Sequence, residues 1–460
     1  MLSRSTISRN APRALQKQCS AVNGRGMASA ATGLQYDVSE SAGVKIANRE
    51  IAGPTGTLAL VAKAGPRYQP FPGFSDALEQ FAFKTTLKRS ALRITREVEL
   101  LGGEIASSHS RENVVLKAKF LERDLPYFAE LLAEVASQSK FAAHELNEVV
   151  IKLLKYKQQA LSANPECQAV DAAHAVAFHR GLGEAITPST SVPFEKYLSA
   201  EALAEFAQQA YAKPNIALVG SGPKNADLSK WVGEFFKDLP SAGSSSQYKL
   251  QPNTASKYHG GEQRIASKTG NAVVIAFPGS SAFGGSSYKP EASVLATLLG
   301  GQSTIKWTPG FSLLSKATQG FSQLRASAKN HAYSDAGLFT ITLSGKADQV
   351  ATGSKTAVDI LKKIAAGEVA SEDIKKATAA AKFQALESAQ SLSTGLEATG
   401  SALVSGGKPY QIGEVAQSID SVTEAQVKDA AKSLLSSKAS VAAVGDLFQL
   451  PYGEDLGLTV

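Results

Sequence analysis

Cysteine is almost missing: the 460 residues hold only Cys19 and Cys167. Cys19 lies in a basic N-terminal stretch, so the body of the chain has one thiol. That excludes an internal disulfide, a Cys-rich metal centre, a cluster-binding set of thiolates and a Cys-x-x-Cys-His haem attachment. Long apolar runs are missing too. No segment approaches the roughly 18–20 residues that span a bilayer, so any membrane association has to run through partners. The Ser- and Gly-rich segment 279–287 lacks a closing Gly-Lys-Ser/Thr and reads as a loop, not a phosphate cradle. Acid is absent before Asp37, while Arg4, Arg9, Arg13, Lys17 and Arg25 all precede it. Subtracting those five from the net charge of +7 leaves the body close to neutral, which argues against a nucleic-acid-binding surface.

The acid-free, Ser-rich, Arg-spaced tail, with Leu2, Ile7 and Leu15 as its larger apolar residues, reads as a mitochondrial transit peptide over 1–35, cleaved between Arg25 and Gln35. Over the whole chain, 43% hydrophobic and 19% charged residues supply enough apolar surface to offset the entropy of ordering.

The stretch 238–264 is dense in Ser, Gly, Pro and Asn and reads as a linker. On either side the same order of elements recurs. In the first half, strands are expected at 57–62, 113–120 and 215–220, with helices at 75–86, 125–137 and 142–163. In the second, strands are expected at 272–277, 337–343 and 440–444, with helices at 290–299, 347–366 and 371–391. Three segment pairs, beginning at Arg111 and Ala336, Ser199 and Ser421, and Asn215 and Ser440, align at nearly one offset. The expectation is an α+β protein of two homologous domains, 36–237 and 265–460, each a mixed sheet covered by long helices.

Gly73-Phe-Ser-Asp-Ala-Leu-Glu-Gln-Phe, preceded by Val61-Ala-Lys-Ala-Gly-Pro-Arg67 and followed by Leu101-Gly-Gly-Glu-Ile-Ala106, resembles the first domain of the pitrilysin-type metallopeptidases, the family of the mitochondrial processing peptidases. Active members carry H-x-x-E-H here: two imidazoles on adjacent turns ligate zinc, the glutamate acts as general base, and a further glutamate follows about 80 residues on. Matched residue by residue, the first His is Asp76, the Glu is Glu79 and the second His is Gln80. The third ligand falls at Tyr156 or Lys157, and no acid occurs between Glu148 and Glu166. The resemblance therefore implies a degenerate motif with no zinc, no other cofactor and no catalysis. Glu79 is read as an ordinary helix-surface or capping carboxylate. His109, His144, His174, His179, His259 and His331 are read as scattered structural residues.

In the second half, segments starting at Phe311, Ala332 and Val369 resemble the non-catalytic branch of this family found in mitochondrial ubiquinol-cytochrome c reductase. That resemblance implies a structural subunit peripheral to the inner membrane on the matrix side. Its implied partners are core protein 1, cytochrome b, cytochrome c1 and the Rieske iron-sulfur subunit. The other non-catalytic branch, the presequence-binding alpha subunit of the processing peptidase, uses a glycine-rich loop. Here 299–310 is interrupted by Ile305, Lys306, Trp307 and Pro309, which suits a mobile flap poorly.

Overall fold

The computed structural model describes residues 35–241, 248–301 and 310–460. Residues 1–34 of the expected transit segment, 242–247 of the expected linker and 302–309 of the interrupted glycine segment lie outside them.

The first half builds a six-stranded sheet from β1 (Asp37–Ser41), β2 (Val44–Glu50), β3 (Thr55–Ala62), β4 (Glu104–His109), β5 (Val114–Leu121) and β6 (Ile216–Gly222), in the order β1-β2-β6-β3-β5-β4. The second builds five strands, β7 (Gly261–Ala266), β8 (Asn271–Pro278), β9 (Leu324–Ala332), β10 (Gly337–Gly345) and β11 (Ser440–Gly445), in the order β7-β11-β8-β10-β9. Without β1, the two orders are the same. The one parallel pair also recurs, β2 with β6 and β7 with β11. In register, Leu60 lies opposite Leu116 and Leu218, and Ile275 opposite Ile341 and Val441. The expected duplication and α+β class are what the chain forms.

The central strands read as continuous apolar runs because both of their faces are buried, as β3 shows from Gly56 to Ala62. On one face of the first sheet, Val44, Ile46, Leu58, Leu60 and Leu116 pack under helices of their own half, among them Phe74–Phe81, Leu125–Gln138 and Ala200–Ala210. The other face is covered by a helix from the far half. Ala47, Ala59, Val61, Ala217 and Val219 pack against Leu396 and Leu403 of helix Leu392–Gly406. The second sheet is treated reciprocally: Ala272, Val274, Ala276, Ala442 and Val444 pack against Ala169, Ala173, Ala177 and Phe178 of helix Pro165–Phe178. Each half thus lends one helix to the other. Small residues line both exchanged contacts, which lets helix and sheet approach closely; a Cβ at Gly400 would stand 2.3 Å from Val61 Cγ2.

Some boundaries differ from expectation. Helix 75–86 stops at Phe81 because Ala82 turns out of the helix with a ψ of 132° and Phe83 then takes a positive φ of 59°, which no α-helix continues. Segment 142–163 is broken by a π turn at Leu146–Val150 before helix Ile151–Ala163. The linker ends earlier than 264, since Gly261–Ala266 is the outer strand of the second sheet. Part of it is pinned to the first half: Gln251 N donates to Tyr68 O at 2.9 Å and Leu250 N to Gln209 Oε1 at 3.2 Å.

Candidate functional site

Helix Phe74–Phe81 begins at Gly73, whose φ of 94° suits glycine and whose missing Cβ makes room for the Phe194 ring. Phe74, Ala77, Leu78 and Phe81 anchor the helix in the core. That anchoring turns Asp76, Glu79 and Gln80 toward the end of edge strand β4 and helix Ile151–Ala163. Asp76 is 1% exposed and Glu79 9%, so Glu79 is not the ordinary surface carboxylate expected from the sequence. Its burial has to be compensated.

Two cationic groups supply the compensation. Lys157 Nζ donates to Glu79 Oε2 at 2.9 Å and Oε1 at 3.1 Å, and lies 3.6 Å from Asp76 Oδ1. Tyr156, the other residue at the expected third-ligand position, is 67% exposed and takes no part. His109, which sequence reasoning placed among scattered histidines, closes β4 beside the motif. Its Nδ1 meets Glu79 Oε2 and its Nε2 lies 3.1 Å from Ile186 O. Both neighbours are acceptors, so satisfying both requires both ring nitrogens to carry protons. Gln80 Nε2 turns back to Glu79 Oε1 at 3.0 Å, and Thr187 Oγ1 donates to Asp76 Oδ1 at 3.2 Å.

The electrostatics follow. Burial pushes the Glu79 carboxyl up, but the hydrogen bonds from His109 and Lys157 outweigh it and hold the group below its usual range. Burial likewise opposes charge on His109, yet the bond to Glu79 and the charge of Asp76 raise it above an ordinary imidazole. For Asp76 burial dominates, and its carboxyl is raised despite His109 and Lys157. Oxygen and nitrogen atoms of Asp76, Glu79 and His109 lie within 4.8 Å of one another, a spacing of metal-site dimensions. Their charge is already answered from within the protein.

Other histidines are paired as well. His174 Nδ1 donates to Val170 O at 2.7 Å and its Nε2 accepts from the Tyr333 hydroxyl at 2.8 Å, a neutral arrangement, with His331 edge-on at 5.2 Å. Burial carries His174 well below its ordinary range and His331 to about 4. His179 and His259 stack at 4.1 Å. These pairs join residues of the two halves or the linker, distances along the chain that spacing rules do not bridge.

The junction of the halves is a buried charge clamp. Arg67 grips Asp335 through both carboxylate oxygens, at 2.7 and 2.8 Å, donates to Glu112 at 2.7 Å and reaches the Thr254 carbonyl at 3.2 Å. Glu112 in turn accepts from the Ser334 backbone and hydroxyl, at 3.0 and 2.6 Å. First half, linker and second half meet on one guanidinium.

Comparison with known proteins agrees with this architecture. Residues 45–188 match the family described as Insulinase (Peptidase family M16), and residues 197–380 match the Peptidase M16 inactive domain. The chain is 51% identical to cytochrome b-c1 complex subunit 2, mitochondrial, of Neurospora crassa, over the whole of both chains. It is 36% identical to the protein of that name from Yarrowia lipolytica, over 92% of this chain and 96% of that one, and 29% identical to the Homo sapiens protein over 90% of each. The chain belongs to the M16 peptidase family and, within it, to the family of the mitochondrial cytochrome b-c1 complex subunit 2.

Proposed function

We infer that this chain serves as a non-catalytic structural subunit of the mitochondrial cytochrome b-c1 complex, peripheral to the inner membrane on its matrix side. It holds core protein 1, cytochrome b, cytochrome c1 and the Rieske subunit in one assembly. The family membership supports the assignment to the complex, since the relatives bear that complex's name and not that of the processing peptidase. No helix of the described residues is long and apolar enough to cross a membrane, in keeping with a peripheral position.

The observation that carries the non-catalytic reading is Lys157. A hydrolytic zinc site needs about three good protein ligands and an open position for water. Here the third-ligand position holds an ammonium at 2.9 Å from the glutamate that would act as base, and His109 hydrogen-bonds the same carboxylate. Gln80 offers at best a weak neutral amide. A divalent cation entering this cluster would face Lys157 and a protonated His109, and Glu79 has no free lone pair with which to activate water. The residues do not suit zinc.

The test is affinity purification of the native protein. The expected eluate shows cytochrome b and c absorption bands and leaves presequence peptides intact. Peptide cleavage without haem bands would overturn the assignment. In a parallel measurement, calorimetric titration of the full chain with zinc is expected to give no heat assignable to this cluster, and the same trace in Glu79→Gln.

A further inference from the structure

Beside the Arg67 clamp, where helix Pro165–Phe178 ends and the linker passes over it, lies a cavity of about 360 Å³, within the size range of small-ligand sites. Arg67, His179, Arg180, Lys257 and His259 contribute to its wall, and no carboxylate side chain does. Arg67 is answered by Asp335 and Glu112. Among the described residues, Arg180 and Lys257 have no ion-pair partner. Of the last four carbonyls of the helix, which would oppose an anion, three are engaged: Ala175 O accepts from His179 N and Ala177 O from His259 N, each at 2.9 Å, and Phe178 O from Arg180 N at 2.6 Å. His179, Arg180 and Lys257 are exposed, so the wall presents cations to solvent without the counter-charge found at the buried clusters of this chain.

We propose that this cavity is a binding site for a phosphate-class anion, held by Arg180 and Lys257 over the Arg67 clamp. An arginine fork matches the oxygens of a phosphate in a bidentate manner, and lysine adds a point charge. The stacked rings of His179 and His259 add N–H donors on the same wall. Because the wall draws on the first half and on the linker that leads to the second, an occupant ties the two together and raises the stability of the whole chain. The site is separate from the Glu79 cluster and does not rest on the non-catalytic reading.

The experiment uses the full chain, at constant ionic strength, with sodium pyrophosphate as probe. Thermal unfolding is expected to show a saturable rise in Tm, and calorimetry a single class of site. In the Arg180→Ala/Lys257→Ala double variant the affinity is expected to fall by about tenfold or more, since each lost charge-assisted contact weakens binding substantially. In Lys375→Ala/Lys432→Ala, which removes equal charge from exposed helices of the second half, it is expected to stay within about twofold of the parent, as long-range charge effects are screened by salt. Phosphatidylcholine vesicles doped with phosphatidylglycerol form a second arm. A response to pyrophosphate assigns a soluble anion; retention on vesicles alone, lost in the Arg180/Lys257 variant, assigns a lipid headgroup. No response in either arm, or one that survives the Arg180/Lys257 variant, overturns the proposal.

Discussion

The two halves share a sheet order and a parallel pair, yet the helices after their first central strands differ in kind. Phe74–Phe81 buries Asp76 and Glu79; Pro290–Leu299 buries Val294, Leu295, Leu298 and Leu299, and Glu291 in its first turn is its only acid. One half retains a polar platform and neutralises it with His109 and Lys157, while the other has none to neutralise. The difference teaches that losing metal-ligand residues does not leave an inert surface. Buried carboxylates have to find cations, and here the chain supplies them from a strand end and a neighbouring helix.

The largest expected effect comes from forcing the second half to imitate the first. Leu295→Glu places a carboxylate at a fully buried position of Pro290–Leu299 with no cation provided, and is expected to cost about 4–5 kcal/mol or to prevent folding, read by urea unfolding. The converse experiment removes the cation from the first half. Lys157→Met is expected to cost about 1–3 kcal/mol, as Lys157 is partly exposed, and adding Glu79→Gln should return most of it. If the double variant is no more stable than the single, the ion-pair account fails.

The exchanged helices offer a milder contrast. Asn164 caps Pro165–Phe178 by accepting from Glu166 N and Cys167 N at 3.0 and 3.3 Å, whereas Ser391 makes no side-chain cap on Leu392–Gly406. Asn164→Ala should lower stability by about 1 kcal/mol and Ser391→Ala by a few tenths at most, both read as shifts in Tm.

The smallest effect is a slope. His109 is raised above its usual 6.5, so its contribution is full below that pH and fades as pH rises through the folded value. His331, lowered to about 4, contributes above 6.5 and loses that contribution as pH falls toward 4. Glu79, depressed, contributes above 4.5 and loses it on further acidification. His109→Gln should flatten the decline of Tm on the alkaline side, and His331→Gln the decline on the acid side. Equal slopes in the two variants would erase the distinction between the charged histidine of the site and the neutral one at the junction.

Apolar runs placed the central strands within a few residues, and the periodicity of 290–299 and 347–366 coincides with the helices observed. The motif at 73–81 and its altered positions were legible because they are local: Asp76, Glu79 and Gln80 share one helix. Lys157 was within reach as one of two candidates, by the family spacing. His109 was not, because its approach depends on β4 pairing with β5 and ending beside Glu79. The helix exchange was hidden for a related reason. An Ala-rich helix such as Pro165–Phe178 declares that it packs closely but not against which sheet. The π turn at Leu146–Val150 has no glycine or proline to announce it.

The lending of helices sets a timetable for the chain. A ribosome or an import channel delivers the first sheet long before residues 392–406 arrive, and Lys45 waits for its acceptor, the Leu403 carbonyl, 358 positions later. Until then the Ala47, Ala59, Val61 and Val219 face is open to any apolar surface nearby. Closures this distant along a chain slow folding in general, and a chain truncated before residue 392 would lack the helix that covers this face of the first sheet.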